Sequence, residues 1–220
     1  SVAWRHFSRQ WVPWVLSVIA LMATALVLGA VMIVVVLTTA TTKTETTTFS
    51  TTQTTEPSGV GLVAMAIFYI LMWVVAVVYS INSYRNAFRV TQGETIAVGD
   101  FFKFSGLATP LIVSILCGII IYIGMLLFVI PGIIAMFALM YVPVAAVINN
   151  STVGRVFSEG FAAFKNNIGQ SILLAVLLGL IGLAGSLVLG IGNLVTIPLA
   201  NIALVVGYLM VTGRNLVVAN

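Results

Sequence analysis

The sequence predicts an all-α polytopic membrane protein: six transmembrane helices arranged as three hairpins, short amphipathic interfacial helices, and both termini cytoplasmic. Three observations carry that prediction. Hydrophobic residues make up 61% of the 220 residues and charged residues 6%, with a mean hydropathy of +1.20. A water-soluble domain is roughly half apolar and about a quarter charged, so this chain cannot cover a water-facing surface with polar groups. Uncharged apolar stretches long enough to cross a hydrocarbon core of about 30 Å at about 1.5 Å per residue recur six times. Finally, eight of the nine Lys and Arg residues, Arg5, Arg9, Arg85, Arg89, Lys103, Arg155, Lys165 and Arg214, fall in segments that six crossings place on one side. Only Lys43 falls on the other. Basic residues are retained on the cytoplasmic side during insertion, which puts that side inside the cell.

The whole chain, 1–220, reads as one transmembrane domain in a cell (plasma) membrane. The first span, 13–37, is about twice the length of the apolar region of a signal peptide and is read as retained. Its lead-in, Trp4-Arg5-His6-Phe7-Ser8-Arg9-Gln10-Trp11, has the aromatic and basic character of an interfacial anchor. An outer loop, 38–58, holds 12 threonines in 21 residues and is expected to be solvated or hairpin-like, since β-branched threonine favours extended backbone. Thr density near Pro57 also leaves open an O-glycosylated or partner-contacting loop.

The second span is 59–81. The third, 107–130, follows the lead-in Val98-Gly99-Asp100-Phe101-Phe102-Lys103-Phe104. Pro131 lacks a backbone donor and suits the first turn of a new helix, so Pro131-Gly132 marks a tight hairpin into the short fourth span, 132–148. An amphipathic helix over 151–166 carries Val153, Val156, Phe157, Gly160, Phe161 and Phe164 on one face, with Ser151 able to cap its start. Span five is 168–190 and span six 194–212, and Pro143 and Pro198 are expected to kink spans four and six. The sequons at Asn149 and Asn150 fall in a cytoplasmic loop and are not read as glycosylated.

Span five has the most informative local pattern. Ser171, Ala175, Gly179, Gly182, Ser186, Gly190 and Asn193 follow one another at steps of three or four and form a stripe of small or short polar residues. A neighbouring backbone can approach closely there, and a partner within the chain is favoured because short loops make neighbouring hairpins the default. Chemistry-bearing residues are sparse. With one Cys and one His, the chain cannot form an internal disulfide, a Cys/His zinc cluster or bis-His haem ligation. None of the six predicted spans contains an ionisable Asp, Glu, Lys, Arg or His, which argues against a driven ion or proton pathway.

Glu94, Asp100 and Glu159 lie at the inner surface, Glu45 and Glu56 in the outer loop, and no spacing pairs them for acid and base work. His6 reads as an anchor and Cys117, within span three, as a small buried hydrophobe. The net charge of +4 is spread over isolated residues, which argues for topology and against nucleic acid. No cofactor and no metal is expected.

Gly99-Asp100-Phe101-Phe102-Lys103-Phe104, then Phe128-Val129-Ile130-Pro131-Gly132-Ile133-Ile134, then Gly160-Phe161-Ala162-Ala163-Phe164-Lys165-Asn166-Asn167-Ile168-Gly169 resemble a family of small six-span integral membrane proteins common in actinobacteria. Its members often carry a proline-rich N-terminal tail. Similar small proteins accompany large actinobacterial membrane assemblies, the respiratory-chain supercomplex among them, as non-catalytic accessory subunits. The resemblance spans roughly residues 60 to 215 and implies that role, with no catalytic residue. Three functions are therefore in view: a non-enzymatic subunit contacting membrane lipids and other integral membrane proteins of a larger complex; a facilitator or channel for a lipid or small apolar molecule; and an enzyme on lipid headgroups. The last needs its inner carboxylates or His6 to converge.

Overall fold

The computed structural model describes residues 2–149, 151–187 and 191–216. It is all-α apart from one small hairpin: α1 (Val2–Arg9), α2 (Trp11–Thr39), β1 (Thr41–Thr47), β2 (Ser50–Glu56), α3 (Gly59–Thr91), a 3₁₀ turn (Val98–Phe102), α4 (Ala108–Leu127), α5 (Val129–Ala138), α6 (Val142–Ile148), α7 (Val153–Asn166), α8 (Ile168–Leu187) and α9 (Asn193–Val211). Among the described residues six helical segments are long and apolar enough to cross a membrane: α2, α3, α4, α5 with α6, α8 and α9. The chain is a multi-pass membrane protein. It divides into two compact units, Ile19–Ala76, and Ser1–Val18 with Val77–Asn220.

In the smaller unit the Thr-rich loop is an antiparallel hairpin whose register runs from Thr41 opposite Glu56 to Thr47 opposite Ser50. Threonine stabilises it through β-propensity alone, because every described side chain of the hairpin is solvent-exposed. Lys43 and Glu56 pair across it at 2.6 Å, both well exposed, an interaction worth little in water. The hydroxyls of Thr38 and Thr39 donate to the carbonyls of Val34 and Val35 at the end of α2, each at 2.7 Å. Ser58 Oγ accepts the Gly61 amide at the start of α3.

In the larger unit the inner end of α3 outruns the predicted span. The helix continues past residue 81 to Thr91 and so includes Arg85 and Arg89. It ends on Gly93 at φ 84°, with the Glu94 amide donating back to the Arg89 carbonyl at 3.0 Å. The same closure recurs after α9, where Gly213 (φ 66°) allows the Arg214 amide to reach the Leu209 carbonyl at 2.9 Å. The core near α3 is aromatic. Trp14 packs edge-on against Phe101 at 4.8 Å, Tyr79 stacks on Phe101 at 5.7 Å, and the Tyr79 hydroxyl lies 3.2 Å from Ser17 Oγ.

The predicted hairpin is present, but its turn falls at Phe128, and Pro131 and Gly132 lie near the start of α5. Phe128 is extended (φ −158°, ψ 145°) and separates α4 from α5. A Cβ built on Gly124 would lie 2.9 Å from Gly132 Cα, and one on Gly132 would lie 2.6 Å from the Met125 backbone nitrogen. The fourth span is corrected from one kinked helix to two short ones: the chain breaks at residues 139–141, and Pro143 sits in the first turn of α6. A proline there gives up no internal hydrogen bond, which is why it starts a helix instead of bending one. Pro198 does lie inside α9. The cap of α7 is also corrected: Thr152 holds the cap position, and Ser151 Oγ donates to the Asn149 carbonyl.

The Gly124–Gly132 approach makes a test. Gly132→Ala should destabilise the protein in detergent by about 1–3 kcal/mol, because backbone would have to give way. Gly118→Ala, where a Cβ meets nothing within 4 Å, should be neutral or stabilising by up to about 1 kcal/mol. Thermal midpoints of the two variants check the contrast.

Candidate functional site

The stripe predicted on span five falls into two parts. Ser171 is buried and Ala175 half-buried, whereas Gly179, Gly182 and Ser186 are exposed. A Cβ on Gly179 or Gly182 would meet nothing within 4 Å. Gly190 lies outside the described residues. The expected close neighbour within the chain is therefore corrected for Gly179, Gly182 and Ser186.

Helix α9 seats on a line displaced by one residue, Leu174, Leu178, Ile181 and Gly185, which is about 100° around the helix. Gly207 on α9 receives the Leu174 side chain, and Gly185 receives Thr196 and Asn193, so closely that a Cβ at either position would force those side chains to shift. The sequence carried these glycines but gave no sign that α9 would choose this line over the small-residue stripe.

On α7 the buried line is Val156, Gly160 and Ala163. A Cβ on Gly160 would lie 2.7 Å from Val142 Cα, so the seam against α6 runs through the glycine and the phenylalanines flank it. Phe157 and Phe164 are half-buried, and Phe161 is exposed, with 45% of its surface accessible.

Behind α7, Asn149 at the end of α6 donates through Nδ2 to the Glu159 carboxylate and to the Tyr208 hydroxyl, joining α6, α7 and α9. Arg155 Nε meets Glu159 at 2.8 Å, and Arg214 lies 5.9 Å from the Tyr208 ring centre. The Asn149 hydrogen bond, then Arg155 and Arg214, hold the Glu159 carboxyl below the usual range, so it stays ionised at neutral pH. The surrounding cavity, about 350 Å³, is lined by Glu159, Asn166, Asn167, Tyr208 and Arg214 among others.

The second polar cluster closes the end of α3. Arg89 binds Glu94 at 2.7 Å and Asp100 at 3.1 Å, and Lys103 binds Asp100 at 2.6 Å. Asp100 also accepts the Ala97 amide at 2.9 Å, capping the 3₁₀ turn. Asn82 donates to the carbonyls of Phe101 and Lys103, and Gln10 reaches across to the Glu94 carbonyl and the Ile96 amide. Glu94 and Asp100 thus converge on one guanidinium, as ion pairs and not as an acid–base couple.

The Lys103 and Ala97 hydrogen bonds, with Arg89, push the Asp100 carboxyl down to about 2. His6 is buried, and burial followed by Arg9 and Arg5 holds its pKa below the ordinary value, so the ring is neutral at pH 7. Cys117 is buried as expected. Among the described residues no three His, Cys, Asp or Glu gather as metal ligands would.

Comparison of the chain with family models, with curated proteins and with solved structures finds no match.

The Asp100 cluster makes a pH-dependent prediction. A carboxyl depressed from 3.8 to about 2 in the folded state contributes stability that is fully present above about pH 4 and is lost as pH falls toward 2. Asp100→Asn should lower stability by about 2 kcal/mol at pH 7. The gap between the melting curves of variant and parent should narrow below pH 4; a gap unchanged from pH 7 to pH 3 would contradict the assignment.

Proposed function

We propose that this chain is a non-catalytic accessory subunit of a cell (plasma) membrane, one that packs against an integral membrane protein of a larger complex. Its termini lie in the cytoplasm. The observation that carries the reading is the open face of α8 at Gly179, Gly182 and Ser186, where space for a neighbouring helix exists and α9 does not fill it. In hydrocarbon, helices gain little from burying apolar surface against one another and associate by close packing, so uncovered small residues in a span are where another chain's helix can come nearest.

The charged groups support a non-catalytic reading, since Glu56, Glu94, Asp100 and Glu159 are each taken up in ion pairs. The resemblance of residues 60–215 to actinobacterial six-span proteins makes a respiratory-chain supercomplex the first assembly to examine.

A second reading, a facilitator for a lipid or small apolar molecule, is favoured by one observation. An apolar cavity of about 320 Å³ opens between α1, α8 and α9, lined by Val2, Leu174, Leu178, Leu199 and Met210 among others.

Purification from native membranes in mild detergent tests the leading reading. The parent chain should co-migrate with a larger membrane complex, and Gly179→Leu with Gly182→Leu should release it as a small species. The melting temperature of the isolated chain should barely move, because both additions point into open space. A parent chain that already runs as a single small species with no companion would contradict it.

A further inference from the structure

Among the described residues, the ion-paired clusters are internally balanced. Arg89 and Lys103 share Asp100, Arg155 holds Glu159, and Lys43 holds Glu56. Arg85 is different. Its guanidinium meets three oxygens, all neutral: Asn82 Oδ1 at 3.1 Å, the Ser105 carbonyl at 3.0 Å and the Gly106 carbonyl at 3.0 Å. A guanidinium has five N–H donors in a planar fork, so these contacts leave the Nε–H and one Nη2–H uncommitted.

The side chain is half-buried at the wall of a cavity of about 550 Å³, whose other walls include Ser105, Ala108, Thr109 and Val147. Among the described residues no acidic side chain lines that cavity. A half-buried cation facing a polar recess without a counter-charge attracts an anion, and the fork favours the paired oxygens of a phosphate. The first turn of α4 borders the same recess, and the positive end of that helix adds to the field that the guanidinium sets. Arg85 also lies four residues beyond the uncharged stretch that ends at 81, the level at which a bilayer presents its phosphates.

We infer that the recess at Arg85, Ser105 and Thr109 is a binding site for a phosphate group carried by an anionic phospholipid headgroup or by a soluble phosphate compound. This site is independent of the helix face through which a partner would dock.

Native mass spectrometry of the full chain in detergent, titrated with phosphatidylglycerol, with phosphatidylcholine and with inorganic phosphate, tests it. The parent should bind phosphatidylglycerol about tenfold more tightly than phosphatidylcholine, the size of effect that one charged hydrogen-bonding group supplies. Arg85→Gln should abolish the preference. Because Arg85 also ties down Ser105 and Gly106, Ala108→Glu serves as the second variant: it leaves those contacts in place, puts a carboxylate in the recess, and suits the first turn of a helix.

Loss of the preference in both variants supports a lipid phosphate. Arg85-dependent binding of inorganic phosphate, with no preference between the lipids, supports a soluble phosphate compound at the same site. If the parent binds all three probes weakly and alike, or if Ala108→Glu binds them as the parent does, the inference is overturned.

Discussion

The hydrocarbon interior offers no hydrogen-bonding partners, and most features of this protein follow from that. A backbone crossing it must satisfy its own amides and carbonyls, so each uncharged run becomes a helix. Side chains with strong polar requirements are displaced toward the helix ends. At the end of α3, where the apolar run gives way to Asn82, Arg85 and Arg89, the helix continues because these side chains find partners in the segment from Glu94 to Gly106. The loop before α4 is therefore a bonded cap, with an ion-paired Asp100 at its centre.

The same solvent explains the use of glycine. Where helices gain little by hiding apolar surface from lipid, contact depends on how closely backbones approach. Gly124 against Gly132, Gly160 against Val142, Gly185 against Thr196 and Gly207 against Leu174 are among the places where a methyl group would meet a neighbour. Gly179 and Gly182 on α8 have the same residue type and the opposite surroundings. That difference separates glycines that hold this chain together from glycines that leave a face available to another chain.

The number of long apolar runs, a helix start beside Pro131 and the extended character of the Thr-rich loop were legible in the sequence, because each follows from local chemistry: run length, a missing amide, β-branching. The break at residues 139–141 was not, since Leu139, Met140 and Tyr141 carry no turn signal and Pro143 alone suits a kink or a helix start equally well. The contact line on α8 was not legible either. The small-residue stripe and the adjacent line of Leu174, Leu178, Ile181 and Gly185 both lie on that helix, and the position of Gly207 on α9, which receives Leu174, favours the second. Nor did spacing reveal that Arg85 would meet carbonyl oxygens while Arg89, four residues on, met two carboxylates. That outcome depends on how the segment from 92 to 107 folds back.

The central claim is that six segments cross the bilayer and so put the Thr-rich hairpin on the opposite side from the basic segments. Cysteine accessibility tests it most directly. In a Cys117→Ala background, single cysteines at Gln53, Gln92 and Ser158 are exposed to a membrane-impermeant maleimide on intact cells and again after permeabilisation. The account predicts labelling of Gln53→Cys on intact cells, and of Gln92→Cys and Ser158→Cys only after permeabilisation. Labelling of either inner position together with Gln53→Cys on intact cells would contradict it.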